Sequence, residues 1–182
     1  DATSPSCTNA GEGSPGAPFC SIAAAVAAHG GPGTTIRVRS GIYHEQITVA
    51  ASGMAAGPFV IEAAGPVLID GAEDFTQLQQ WAPYSGDVWV ARAVRWRPQQ
   101  VFGDGSRLAA SADTMVALAA GTYRYVTGQG LFVNAGGGNP AVHDLRVGRY
   151  PYGFKLSGKS WVVIRGFALT RQDDRGFFLA DN

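Results

Sequence analysis

Two copies of the phrase Gly-Phe-x-Leu, Gly153-Phe-Lys-Leu156 and Gly176-Phe-Phe-Leu179, stand twenty-three positions apart in the last thirty residues of the chain. A period of that length is expected of stacked solenoid coils, in which each repeat needs neighbours above and below to bury its apolar side. The apolar stretches 154–156, 161–164 with 167–169, and 177–179 are too short for helices. Clusters of Gly, Ser, Lys or Asp separate them, so each reads as a strand between turns.

The first seventy residues follow the same rhythm. Residues 35–39, 42–49, 59–62 and 67–70 read as short strands rich in Ile, Val and Thr. Before them lies the one convincing helix, Ser21-Ile-Ala-Ala-Ala-Val-Ala-Ala-His29, Ala-rich, with Ser21 placed to cap it and Gly-Gly-Pro to stop it. Ile22 and Val26, four apart, form its apolar stripe; such a helix can cover the open edge of a strand stack. Residues 74–147 break the coil rhythm. There Asp104-Gly105 and Thr127-Gly-Gln-Gly130 are hairpin signals between apolar flanks, among Trp81, Tyr84, Trp89, Trp96, Tyr123 and Tyr125. This segment reads as an antiparallel β insertion, with Gly136-Gly-Gly-Asn-Pro140 as the route back.

Fourteen Lys plus Arg balance fourteen Asp plus Glu, which removes the usual electrostatic case for nucleic acid or an anionic membrane. No apolar run approaches the roughly 20 residues of a membrane-spanning helix, so a soluble protein is expected. Cys7 and Cys20 enclose a Ser-, Gly- and Pro-rich segment without a Cys-x-x-Cys or clustered His set. The pair favours a disulfide over two free thiols, worth about 3 kcal/mol in the chain-entropy model. A disulfide in turn implies a secreted, extracellular protein from which a signal peptide has been removed.

Pro18-Phe-Cys-Ser-Ile-Ala-Ala-Ala-Val26, Gly33-Thr-Thr-Ile-Arg-Val-Arg-Ser-Gly-Ile-Tyr-His-Glu45, Ser52-Gly-Met-Ala-Ala-Gly-Pro-Phe-Val-Ile-Glu62, Val67-Leu-Ile-Asp-Gly71 and Val163-Ile-Arg-Gly-Phe167 carry a more specific likeness. Together they resemble the amino-terminal start of secreted right-handed parallel β-helix proteins in the pectate-lyase-like superfamily, over residues 16–71 and 148–182. The resemblance implies an all-β chain: a right-handed parallel β-helix (solenoid) with an amino-terminal capping helix and an antiparallel β insertion. On this reading 1–20 is a disulfide-closed arm, 21–73 the capping helix and first coils, 74–147 the insertion, and 148–182 further coils. Those coils are expected to continue in a missing or separate chain, since the superfamily pattern calls for more of them after Asn182.

The superfamily includes lyases, glycoside hydrolases, epimerases and non-catalytic binders, so the likeness identifies a fold better than a reaction. The reading carried forward is a secreted polysaccharide lyase that cleaves a uronic-acid polysaccharide by β-elimination. The alternatives are a β-helix glycoside hydrolase, which needs two carboxylic acids facing one glycosidic bond, and a glycan-binding protein with no reaction. In the lyases an acidic cluster, or bound Ca²⁺ with an Arg, neutralises the sugar carboxylate, and a Lys or Arg removes the adjacent proton. The neutralising group and the base must therefore converge on one sugar.

On that chemistry Lys155 and Arg175 are the catalytic candidates, and Asp173, Asp174, Trp81 and Trp96 the substrate-binding ones. Asp173, Asp174 and Asp181 are the candidate Ca²⁺ ligands, since hard Ca²⁺ takes several oxygens. The competing reading is a surface turn in which Asp173 and Asp174 pair with Arg171 or Arg175, and a lone acidic pair more often does that. Lys155 on a solenoid turn is more often solvated than catalytic, and most of the aromatic set is expected in the insertion's core. Tyr43, His44 and Glu45 match a family turn that is architectural, and neither His29 nor His143 has a partner suggesting a triad or a zinc site.

Overall fold

A computed structural model describes residues 4–181 as a mostly β protein with a single α-helix among the described residues. The helix α1, Ile22–His29, begins where its cap residue places it: the Ser21 hydroxyl accepts from the Ala24 N–H at 3.2 Å. Four strands follow, β1 (Thr35–Val38), β2 (Gly41–Tyr43), β3 (Ile47–Val49) and the long β4 (Phe59–Asp70). Two expected strands, 59–62 and 67–70, are thus one element, continuous through Gly65, whose φ of 143° few other residues adopt.

The chain divides into two compact units, one from the described part of Asp1–Gly71 with Tyr150–Asn182, the other Ala72–Arg149. The second unit holds β5 (Ala72–Asp74), β6 (Ala82–Ser85), β7 (Val88–Ala91), β8 (Val101–Gly103), β9 (Ser106–Arg107), β10 (Ala109–Ala110), β11 (Thr122–Val126), β12 (Gly130–Asn134) and β13 (Arg146–Gly148). They form two sheets, ordered β10-β11-β12-β7-β6 and β5-β13-β8-β9, antiparallel except at β10 with β11. The Asp104-Gly105 turn joins β8 to β9 with both residues at positive φ, 51° and 74°, the conformation an Asp-Gly hairpin turn requires. Residues 127–129 likewise join β11 to β12. The core gathers Phe75, Trp81, Val101, Leu131, Val133, Leu145 and Val147.

The first unit resumes with β14 (Tyr152–Ser157), β15 (Val162–Thr170) and β16 (Arg175–Ala180). Every strand pairing in this unit is parallel, in two sheets. Val60 lies between Thr35 of β1 and Val163 of β15; Leu68 lies between Ile42 of β2 and Ala168 of β15. The third row is β3-β14-β16, where Ile47, Phe154 and Phe177 are in register. The two Gly-Phe-x-Leu phrases therefore stack residue on residue, Phe154 against Phe177 and Leu156 against Leu179.

Alternation along these strands turns Ile47, Val49, Phe59, Ile61, Ile69 and Phe154 into one core, which the Ile22 and Val26 face of α1 joins. β15 repeats the bend of β4: Gly166, at φ 83°, separates its halves, and a Cβ there would lie 3.1 Å from that of Ala63. β16 pairs on one side only, and its Phe177 and Leu179 are 44% and 63% exposed although their partners on β14 are buried. Taken over the whole chain the sheets are mixed, parallel in the first unit and mainly antiparallel in the second.

Candidate functional site

The turn 171–174 between β15 and β16 holds two of the candidate charges, Asp173 and Asp174. Its backbone is fixed by the Asp173 N–H donating to Tyr150 O (2.9 Å) and by the Asp174 and Arg175 N–H groups both donating to Pro151 O (3.0 Å each). Gln172 is buried and its side-chain amide donates to Ile69 O at 2.9 Å. Against it lies Gly71, where a Cβ would fall 2.4 Å from the Gln172 Cα. Arg171, at φ 55°, reaches the buried Asp70, its Nε donating to Oδ1 at 3.1 Å. This partly buried pair fastens the turn to the end of β4.

Asp173 is 8% exposed, whereas Asp174 is open to solvent and pairs with Arg175 at 3.2 Å. Of the two surface pairings weighed from sequence, the Arg175 one is made by Asp174, and Arg171 pairs with Asp70. Asp181 stands beyond the far end of β16, about 23 Å from Asp174 at the ~3.3 Å rise of a strand. Asp173, Asp174 and Asp181 therefore do not gather, and no group of three His, Cys, Asp or Glu among the described residues is arranged to hold a metal ion. The trio expected to bind Ca²⁺ does not fit the ion, because a six-residue strand separates its members.

Lys155 is in register with Phe178, and its Nζ lies over that ring at 5.9 Å. It stands three positions along from the Tyr152–Arg175 pair rather than opposite Asp174. Phe178 also meets Tyr152, ring centroids 4.9 Å apart, so Tyr152, Lys155 and Phe178 form one patch beside Arg175.

The two candidate tryptophans belong to the second unit. Trp81 is 5% exposed; its indole N–H donates to Phe75 O at 2.8 Å and its ring meets Phe75 edge to face. It is core, as a β unit of this size needs large side chains to bury, and it offers no face to a sugar. Trp96 is half-buried, its N–H held by Gly148 O at 2.6 Å and its ring covered by the Arg149 guanidinium, 5.0 Å from the centroid. Cys7 and Cys20 form the expected disulfide.

Several groups have roles that single-sequence reading did not assign. Glu45 reaches back to α1, and its two oxygens accept from the Ile22 and Ala23 N–H groups at 2.8 Å each. Burial pushes its carboxyl above the usual carboxylate range, against the two amides. Glu62 stands in register between Arg37 and Arg165 and bonds to both; the Arg165 guanidinium chiefly, then Arg37, holds it below the usual range. His143 faces Asp104 Oδ2 through Nδ1 (2.9 Å) and Gly137 O through Nε2 (3.2 Å). Only the doubly protonated ring can donate to both, and these acceptors, Asp104 first, push its pKa up.

Two cavities open on these units. One, about 590 Å³, lies in the first unit among Phe19, Ile22, Ala25, His29, Ile36 and Arg39. The other, about 360 Å³, lies in the second unit and is lined by Arg97, Pro98, Gln99, residues 110–112 and Tyr123, Arg124 and Tyr125. A signal for it stands in the sequence: arginines next to aromatics, in Trp96-Arg97-Pro98 and Tyr123-Arg124-Tyr125.

No family model matches this chain, and no curated protein does. Among solved structures it is similar to XylC, determined in complex with xylose, with a TM-score of 0.73 at 16% identity. That likeness is one of fold. The alignment takes in 93% of this chain but 35% of XylC, so the chain spans about a third of that protein's length.

Proposed function

We propose that this chain forms coils of a secreted right-handed parallel β-helix protein that cleaves a uronic-acid polysaccharide by β-elimination. The β-helix reading is supported by the three parallel rows of the first unit, visited in the same order on successive passes. In this reading residues 72–149 are an insertion made after the second row of the second pass.

The observation offered for the acidic-substrate reading is the patch on β14 and β16, where the Lys155 Nζ lies over the Phe178 ring, Phe178 meets Tyr152, and Arg175 stands in register with Tyr152, about 10 Å along the strand pair from Lys155. Arg175 exchanges Asp174 for the uronate carboxylate, a bidentate pairing suited to a guanidinium. With that charge neutralised, Lys155 takes the proton on the adjacent carbon. The electron pair forms the carbon–carbon double bond, the bond to the glycosidic oxygen breaks, and that oxygen leaves as an alcohol, taking its proton from water. Phe178 and Tyr152 supply the apolar surface against which a sugar ring lies.

Incubation with polygalacturonate or alginate tests this reading. Products that absorb ultraviolet light, lost in Lys155→Ala and in Arg175→Ala with the fold retained, support it; no absorbing product from either polymer overturns it. The hydrolase reading keeps one observation in its favour, that XylC was solved with xylose, a neutral sugar.

A further inference from the structure

The 360 Å³ cavity of the second unit lies far from the residues invoked above in sequence and shares none of them. Its floor is β11. One wall, 97–99, is tied down by the Tyr123 hydroxyl donating to Gln99 O at 2.9 Å and by the Arg107 guanidinium donating to the same carbonyl at 3.3 Å. The opposite wall, 110–112, is tied by the Ser111 N–H to Tyr123 O (2.8 Å) and by Arg124, whose guanidinium donates to Ala112 O and Asp113 O. The cavity is therefore pre-formed, and its volume falls in the ~300–1,000 Å³ range of small-ligand sites.

Two arginines, Arg97 and Arg124, line it. Arg37, Arg146, Arg149, Arg165, Arg171 and Arg175 each pair with a carboxylate. Arg124 meets only neutral carbonyls, and Arg97 has no hydrogen bond or ion pair among the described residues. No Asp or Glu lines the cavity, the nearest carboxylate being Asp113, which accepts from the lining Ser111 hydroxyl at 2.8 Å, and two guanidiniums without an ion pair share one concave site. Beside them stand the half-buried Tyr125, whose hydroxyl has no partner among the described residues, and the Tyr123 oxygen. Guanidinium forks match a carboxylate, and the hydroxyls, backbone carbonyls and tyrosine ring match a ring bearing hydroxyl groups.

We infer that this cavity binds a uronate residue of an acidic glycan, its carboxylate on Arg97 and Arg124 and its ring against Tyr125. The choice of a uronate rests on the acidic-glycan reading above; the anionic character of the ligand rests on the cavity alone.

Titration calorimetry of the chain with trigalacturonate, and with xylotriose as the neutral counterpart, tests the inference. Trigalacturonate should bind and xylotriose should not. Arg97→Gln, at an exposed position that leaves the fold intact, should weaken trigalacturonate at least tenfold, and Tyr125→Phe several-fold. Raising salt from 0.05 to 0.5 M should weaken the parent and leave the Arg97→Gln protein less affected, as expected of a charge contact. If the parent binds trigalacturonate and Arg97→Gln binds it equally well, this site is wrong while the acidic-glycan reading stands. If the parent binds neither sugar, or xylotriose better, the inference is overturned, and the elimination assay separately decides the catalytic reading.

Discussion

Replacing Glu45 with Ala removes a contact that joins two parts of the first unit, because its carboxylate closes the first turn of a helix that begins twenty-three residues earlier. Two N–H groups lose their acceptors, at about 1–3 kcal/mol each when buried and unsatisfied. Ala23 is only half-buried and water recovers part of that, so the lower end applies, about 2 kcal/mol for the pair. Loss of a negative charge at a helix N-terminus adds roughly 0.5 kcal/mol. Release of the carboxylate's own desolvation cost offsets about as much, which leaves a net loss of ~2 kcal/mol. A helix of eight residues has little stability of its own, so this contact is expected to matter.

Urea unfolding followed by circular dichroism measures the loss, with a fall in Tm of about 4–8 °C beside it for a chain of this size. Glu45→Gln keeps one acceptor and should lose about half as much. Burial raises the folded pKa of Glu45, so in the window just above the usual carboxylate value the folded protein binds more protons than the unfolded one. Stability contributed by this group should therefore fall as pH rises from the unfolded value through the folded one, and that slope should vanish in Glu45→Gln. A Glu45→Ala protein within ~0.5 kcal/mol of the parent would refute the capping argument.

Phe154→Ala removes a fully buried ring that stacks on Phe177 and meets Phe167 edge to face, and should cost ~3–5 kcal/mol in urea unfolding. Asp70→Ala leaves the Arg171 charge half-buried without its carboxylate, and should cost about 3 kcal/mol and loosen the turn 171–174, seen as faster amide exchange at Asp173 and Asp174. His143 should titrate above the free-histidine value by NMR; its contribution to holding the Asp104 turn is present below that value and lost as pH rises through the raised one, and Asp104→Asn should return the titration toward normal.

What could be read from the sequence depended on how far apart the interacting residues stand. The Gly-Phe-x-Leu repeat placed Phe154 and Leu156 over Phe177 and Leu179 because one coil separates them and the pattern is printed twice. Ser21 and the Asp104-Gly105 turn were legible because their physics is local, a hydroxyl three residues from its amide and two residues at positive φ. The single bent β4 was not, since Gly65-Pro66 reads as a break, and pairing with β1 and β2 on one side and β15 on the other holds the chain extended through it.

Contacts across about a hundred residues left no signal. Asp70 with Arg171, and Glu62 with Arg165, meet only because the chain returns to the same rows after residues 72–149. The candidate site suffered in the same way. Asp173 and Asp174 look equivalent in sequence, yet only Asp174 is open, and Asp181 looks near but lies at the other end of a strand. Trp81 and Trp96 carry the same sequence signal, and burial alone separates them. That Arg97 and Arg124 line one cavity becomes visible only once the walls 97–99 and 110–112 are placed around β11.

The most direct test of the central claim is digestion of polygalacturonate and alginate in heavy-oxygen water, with the product oligosaccharides weighed by mass spectrometry. β-Elimination adds no water across the cleaved bond, so the account predicts unsaturated products without heavy oxygen at the scission point. Saturated products that carry one heavy oxygen at each new reducing end would contradict it and identify a hydrolase.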